Sequence, residues 1–110
     1  MNIAHDAYIE ACKNININEN EKIVLEGKDP KYCYYFARFI SVANIKAHEK
    51  VVMENKDIRY CYLFAKDIKK SNKKDIFKVV LESEDTYWIN SFIKEVDFNK
   101  DKFINYLLFI

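Results

Sequence analysis

The chain has 110 residues, of which 50% are apolar and 32% charged, with a formal net charge of +1; that length suits one domain with its own core. The near-neutral balance excludes a globally polybasic binder of nucleic acid or membrane, so any basic surface must be local. One glycine and one proline leave too few turn-forming residues for a hairpin-rich β fold.

Residues before Lys22 read as a shortened, diverged copy of the unit that begins at Lys22. Lys22–Glu49 aligns without a gap on Lys50–Phe77, with 13 identities over 28 positions. A third copy from Lys78 keeps Lys78, Val79, Val80, Glu82, Asp85, Phe92, Lys94, Lys102 and Ile104 in common with the second. The predicted organisation is a single helical-repeat domain over 1–110: a diverged repeat 1–21, then repeats 22–49, 50–77 and 78–110. A period of this length is the signature of stacked supersecondary units.

In chain order, a helical segment closing at Gly27 gives way to Asp29 and Pro30, a capping carboxylate followed by proline at the first helical position. Asp57 and Asp85 open the equivalent segments in the later copies. Apolar residues then recur at spacings of three and four, the period of a helix with one buried face. They are Cys33, Phe36, Ala37 and Ile40; then Cys61, Phe64, Ala65 and Ile68; then Ile89, Phe92, Ile93 and Val96. Tyr32, Tyr60 and Trp88 flank this face on one side, and Tyr34, Tyr62 and Asn90 on the other, where neighbouring copies should meet. Asn44 and Asn72 are predicted N-caps of the second helix in each unit, and Gly27, Asn55 and Ser83 its closing positions. The β-branched Val51–Val52 and Val79–Val80 pairs lean locally toward strand, but the surrounding spacing favours helix. The expected fold is all-α, a short α-solenoid of about four two-helix repeats with seven or eight helices.

The pattern built on "YCYYFARFI" and "YCYLFAKDI" resembles degenerate, broadly HEAT-like helical-hairpin repeats of low-G+C bacteria and their phages. The likeness runs from Glu21 to the C-terminus, and the third copy, "YWINSFIKEV", departs from it. It implies an α–α solenoid with a binding role and carries over no catalytic residue.

Cys12, Cys33 and Cys61 are odd in number and lack the spacing of a zinc site, which marks them as reduced core residues. His48 aligns with Ile76 and Ile104, pointing to a partly buried helix position, and neither it nor His5 has ligand-spaced partners. The periodic acids Glu26, Glu54 and Glu82, with Asp29, Asp57 and Asp85, belong to helix ends, whereas catalysis usually needs one asymmetric cluster. No phosphate-binding glycine loop is present. The expectation is a non-enzyme with neither metal nor cofactor. With no signal sequence and no apolar run approaching a membrane span, the expected location is cytoplasmic.

Opposite the core, the first helices carry Lys31, Tyr35 and Arg38; Arg59, Leu63 and Lys66; and Tyr87, Ser91 and Lys94. Lys31, Tyr35, Arg38, Arg59, Leu63, Lys66 and Lys94 form the candidate partner-binding stripe, with a solvated, partnerless face as the plain alternative. Three functions follow from it. The first is a protein-binding scaffold, with a small phage or mobile-element inhibitor of a host defence protein as one form. The second is a nucleic-acid binder using the cations with aromatic stacking, and the third a purely structural homo-oligomer. Near-neutral charge ranks the first above the second. The apolar end "KFINYLLFI" further predicts a homodimer through Phe103, Leu107, Phe109 and Ile110, because a terminal repeat ordinarily has a polar outer side.

Overall fold

A computed structural model describes residues 2–99. Seven helices run through the described residues, with no strand among them: α1 (Ile3–Cys12), α2 (Ile17–Gly27), α3 (Pro30–Phe39), α4 (Ile45–Asn55), α5 (Ile58–Asp67), α6 (Lys73–Glu82) and α7 (Thr86–Glu95). The fold is the expected all-α one, and both valine pairs are helical. Phe103, Leu107, Phe109 and Ile110, expected to carry self-association, lie outside the described residues.

Hairpins form from α1 with α2, α3 with α4 and α5 with α6. The first helices α1, α3, α5 and α7 lie side by side in one layer, and the second helices back them in another. The frame boundary at Lys22 falls inside α2, so an alignment unit joins the end of one hairpin to the start of the next. Stacking gives an elongated body of 48 × 24 × 17 Å.

The caps follow the sequence closely. Asp29, Asp57 and Asp85 accept first-turn backbone N–H groups of α3, α5 and α7, and Asn44 and Asn72 do so for α4 and α6. Pro30 occupies the first turn of α3, where its missing N–H costs nothing. The helix stops differ from expectation by one residue. The left-handed positions are Lys28, Lys56 and Glu84, with φ of 51°, 53° and 58°, rather than Gly27, Asn55 and Ser83. Gly27 remains helical, while Asn55 donates from its side-chain amide to the Lys28 and Val51 carbonyls. A left-handed residue with a Cβ carries a cost that glycine avoids. Lys56→Gly should accordingly raise stability by about 0.5–1 kcal/mol in urea unfolding.

Phe36, Phe64, Phe77 and Phe92 are fully enclosed at the interface of the two layers. Cys33 and Cys61 lie there too, with their thiols directed at the Val24 and Val52 carbonyls one unit back. Cys12 departs from expectation: it is exposed at the end of α1, because the diverged first hairpin places Ala4, Ala7 and Ala11 inward instead.

His48 is wholly buried rather than partly so. Its ring stacks on Phe36 at 5.1 Å between centroids, and Nε2 lies 2.9 Å from Glu21 Oε2. The same carboxylate accepts the backbone N–H of Asn44 at 2.7 Å. One unit on, Glu49 accepts the Asn72 N–H at 2.6 Å. In each case a second helix reaches across and ties down the start of the next.

Burial pushes the His48 pKa below its ordinary value, and the Glu21 carboxylate only partly opposes this. A histidine held neutral in the fold takes up its proton more readily when unfolded, so its contribution is complete above the unfolded value of about 6.5. That contribution is lost as pH falls from about 6.5 toward the lower folded value. Chemical unfolding between about pH 7.5 and about pH 5.5 should show stability declining with acidification, and His48→Gln should flatten the slope in that window.

Candidate interaction face

Side-by-side packing of α3, α5 and α7 aligns the stripe residues into three rows across the outer face of the first-helix layer. Lys31, Arg59 and Tyr87 make the row near the helix starts, all exposed. Arg38, Lys66 and Lys94 make the row near the helix ends, also exposed. Between them Tyr35, Leu63 and Ser91 are half-buried, and Tyr8 of α1 extends this middle row, its ring 5.8 Å from Tyr35. The structure thus brings all seven stripe residues onto one face, where on α3 and α5 the half-buried Tyr35 and Leu63 lie between two cationic margins.

The margins rest on aromatic rings. Lys31 lies over Tyr32 at 5.4 Å, Arg59 over Tyr60 at 5.7 Å, Lys66 over Tyr62 at 5.7 Å, and Arg38 over Tyr34 at 5.8 Å and Phe39 at 4.9 Å. These tyrosines are the inter-repeat residues expected from the sequence. Tyr34 packs against Tyr60 at 5.8 Å and Tyr62 against Trp88 at 5.4 Å. Ring faces hold the cations by cation–π attraction while the heads stay accessible to a partner.

Arg38 differs from the other cations. It donates to the Tyr34 hydroxyl at 2.8 Å and stands 3.6 Å from Asp67 on α5, and the Tyr34 hydroxyl donates to the same carboxylate. Burial first, then Asp67, pushes the Tyr34 hydroxyl up to about 12, so it stays protonated and keeps donating. A cation at the end of α3 therefore has a structural use, clamping one unit to the next, which the helix pattern alone does not show. Asp67 occupies the repeat position of Phe39 in the preceding copy and of Glu95 in the next, so the carboxylate is absent from the first copy and its pairing across units is not evident from the pattern within one helix. Lys66, the counterpart of Arg38, rests on the Tyr62 ring instead.

Phe39 and Tyr87 add exposed aromatic surface at 56% and 68%. The core thiols contribute no nucleophile: burial, with a smaller effect from the neighbouring aspartate in each case, pushes Cys33 and Cys61 up to about 12. Among the described residues no three of histidine, cysteine, aspartate and glutamate converge as metal ligands. Also among the described residues, no helix is long and apolar enough to cross a membrane. Comparison of the chain with protein-family models, curated proteins and solved structures gives no match.

Proposed function

We propose that the chain is a non-catalytic helical-repeat module that binds another protein through the outer face of its first-helix layer. The observation that carries this reading is the half-buried pair Tyr35 and Leu63, each lying between exposed cations on its own helix, with Tyr8 continuing the row onto the cation-free α1. Desolvated tyrosine and arginine dominate protein interfaces, and an apolar spine with a charged margin is how such interfaces are built. A small phage or mobile-element inhibitor of a host defence protein fits this mode, because it needs a surface and no reaction chemistry. The reading places the protein in the cytoplasm, with its buried thiols reduced.

Cations seated over rings also favour a second reading, binding of single-stranded nucleic acid. Paired reversal at Arg59→Glu and Lys66→Glu separates the two, since neither residue forms an ion pair among the described residues. Affinity capture from source cells, followed by binding of the recombinant candidate, should give a protein whose affinity falls at least about tenfold, or about 1.4 kcal/mol, with the paired reversal. The circular-dichroism spectrum should not change. Micromolar or tighter oligonucleotide binding that falls steeply with salt and is abolished by the same reversal would replace the protein partner with nucleic acid.

A further inference from the structure

The turns joining α3 to α4 and α5 to α6 enclose a trough of about 210 Å³. Ile40, Ala43 and Ile68 supply its apolar lining, and Arg38, Lys69 and Lys70 its cationic rim. Its one carboxylate, Asp67, is already engaged by Tyr34 and Arg38. Lys69 and Lys70 are exposed and pair with no carboxylate among the described residues. Next to them the Lys73 ammonium is folded onto the turn, donating to the Ile68 and Lys69 carbonyls and to the Ser71 hydroxyl. Its fixed charge adds to the positive field over the trough.

In a repeat array, a residue with no counterpart in the neighbouring copy is not demanded by the shared scaffold and acts, if structurally, through contacts of its own. Lys69 and Lys70 correspond to Ser41 and Val42 in the preceding unit, and Lys73 to Ile45. The α3–α4 turn closes without lysine at these positions. Lys73 serves its own turn through the bonds just described, whereas Lys69 and Lys70 make no side-chain bond among the described residues, so the stack does not explain those two.

We propose that this trough takes an acidic peptide segment of a partner protein, with one aliphatic or small aromatic side chain seated on Ile40, Ala43 and Ile68. The carboxylates flanking that side chain meet Arg38, Lys69 and Lys70. The proposal rests on the protein-binding reading above and gives it a second anchor point and a partner chemistry. A nucleic-acid strand fits less well, because sequence-tolerant strand binding relies on rings on which bases stack, and the trough lining has none.

The test is fluorescence polarisation with the full chain and a set of labelled acidic peptides carrying a single central Leu, Ile, Val or Phe. Matched peptides replace that residue with Ser or the acids with their amides, and a poly-dT oligonucleotide serves as the competing ligand. At least one acidic peptide should bind, with affinity falling about tenfold or more in the Lys69→Glu/Lys70→Glu protein, on central Ser substitution and on amidation. Retained folding of that variant is checked by circular dichroism. Peptide binding indifferent to Lys69 and Lys70 but lost with Arg59→Glu/Lys66→Glu would overturn the trough and leave the outer-face reading standing. Binding of none of the acidic peptides would also overturn it, whatever the captured partner shows. Oligonucleotide binding alone, lost with the lysine reversals, would overturn both readings.

Discussion

Phe64→Ala should lower the unfolding free energy by about 3–5 kcal/mol, and Phe36→Ala by a similar amount. Both rings are fully enclosed between the helix layers, so truncation removes buried area and leaves a cavity whose walls belong to helices fixed by other contacts. α5 has first-layer neighbours on both sides, α3 and α7, and cannot collapse toward either without pulling away from the other. For a domain of this size the loss is a large fraction of total stability. Urea unfolding of each variant gives the value from the shift in midpoint at constant slope. A loss below about 1 kcal/mol at both sites would mean that the core face is wrongly assigned.

The second large effect is expected at Glu21. Its carboxylate serves the Asn44 backbone N–H and the buried His48 ring at once. Glu21→Ala leaves a buried imidazole N–H without an acceptor and uncaps the approach to α4, at a cost of about 3 kcal/mol. Glu49→Ala removes only the bond to the exposed Asn72 N–H, because Ile76 replaces the histidine in that unit, and should cost about 1 kcal/mol. Pairing Glu21→Ala with His48→Ile removes both partners and should recover much of the loss, as a double-mutant cycle would record. Equal costs at Glu21 and Glu49, with no recovery in the double variant, would show that the buried ring does not depend on the carboxylate.

Much of the architecture was legible because it is written repeatedly. Asp29, Asp57 and Asp85 announce three helix starts, and the Cys33–Phe36–Ala37–Ile40 spacing announces a core face that recurs in the next unit. The candidate face was legible to the same extent, since Lys31, Tyr35 and Arg38 have counterparts at one period. Features made between units at other offsets were not legible. Tyr34 meets Asp67 on the next first helix, a partner 33 residues on rather than one period away, and the helix stops lie one residue beyond the glycine and asparagine that usually mark them. Glu21 and Glu49 do stand one period apart, but a carboxylate on a helix surface gives no local sign that it will cap a neighbour. The exposure of Cys12 was hidden because the diverged first hairpin fills its inner face with small alanines rather than with the larger residues of later copies.

The carboxylate tie from one second helix to the next also bears on how such a chain can change length. Each middle unit offers an acceptor on one side and an N-cap donor on the other, so an in-frame duplicate inserted between α2 and α4 would find a complementary half-joint at both ends. Beyond α6 this rule stops, because the period position of Glu21 and Glu49 is filled by Phe77, which packs on Phe92 and Phe98 at 5.0 and 4.9 Å between ring centroids. Among the described residues the carboxylate joint therefore runs from α2 to α4 and from α4 to α6, and α6 does not repeat it. Growth or loss of units through recombination is accordingly expected to be tolerated where a glutamate stands at this position, upstream of Phe77.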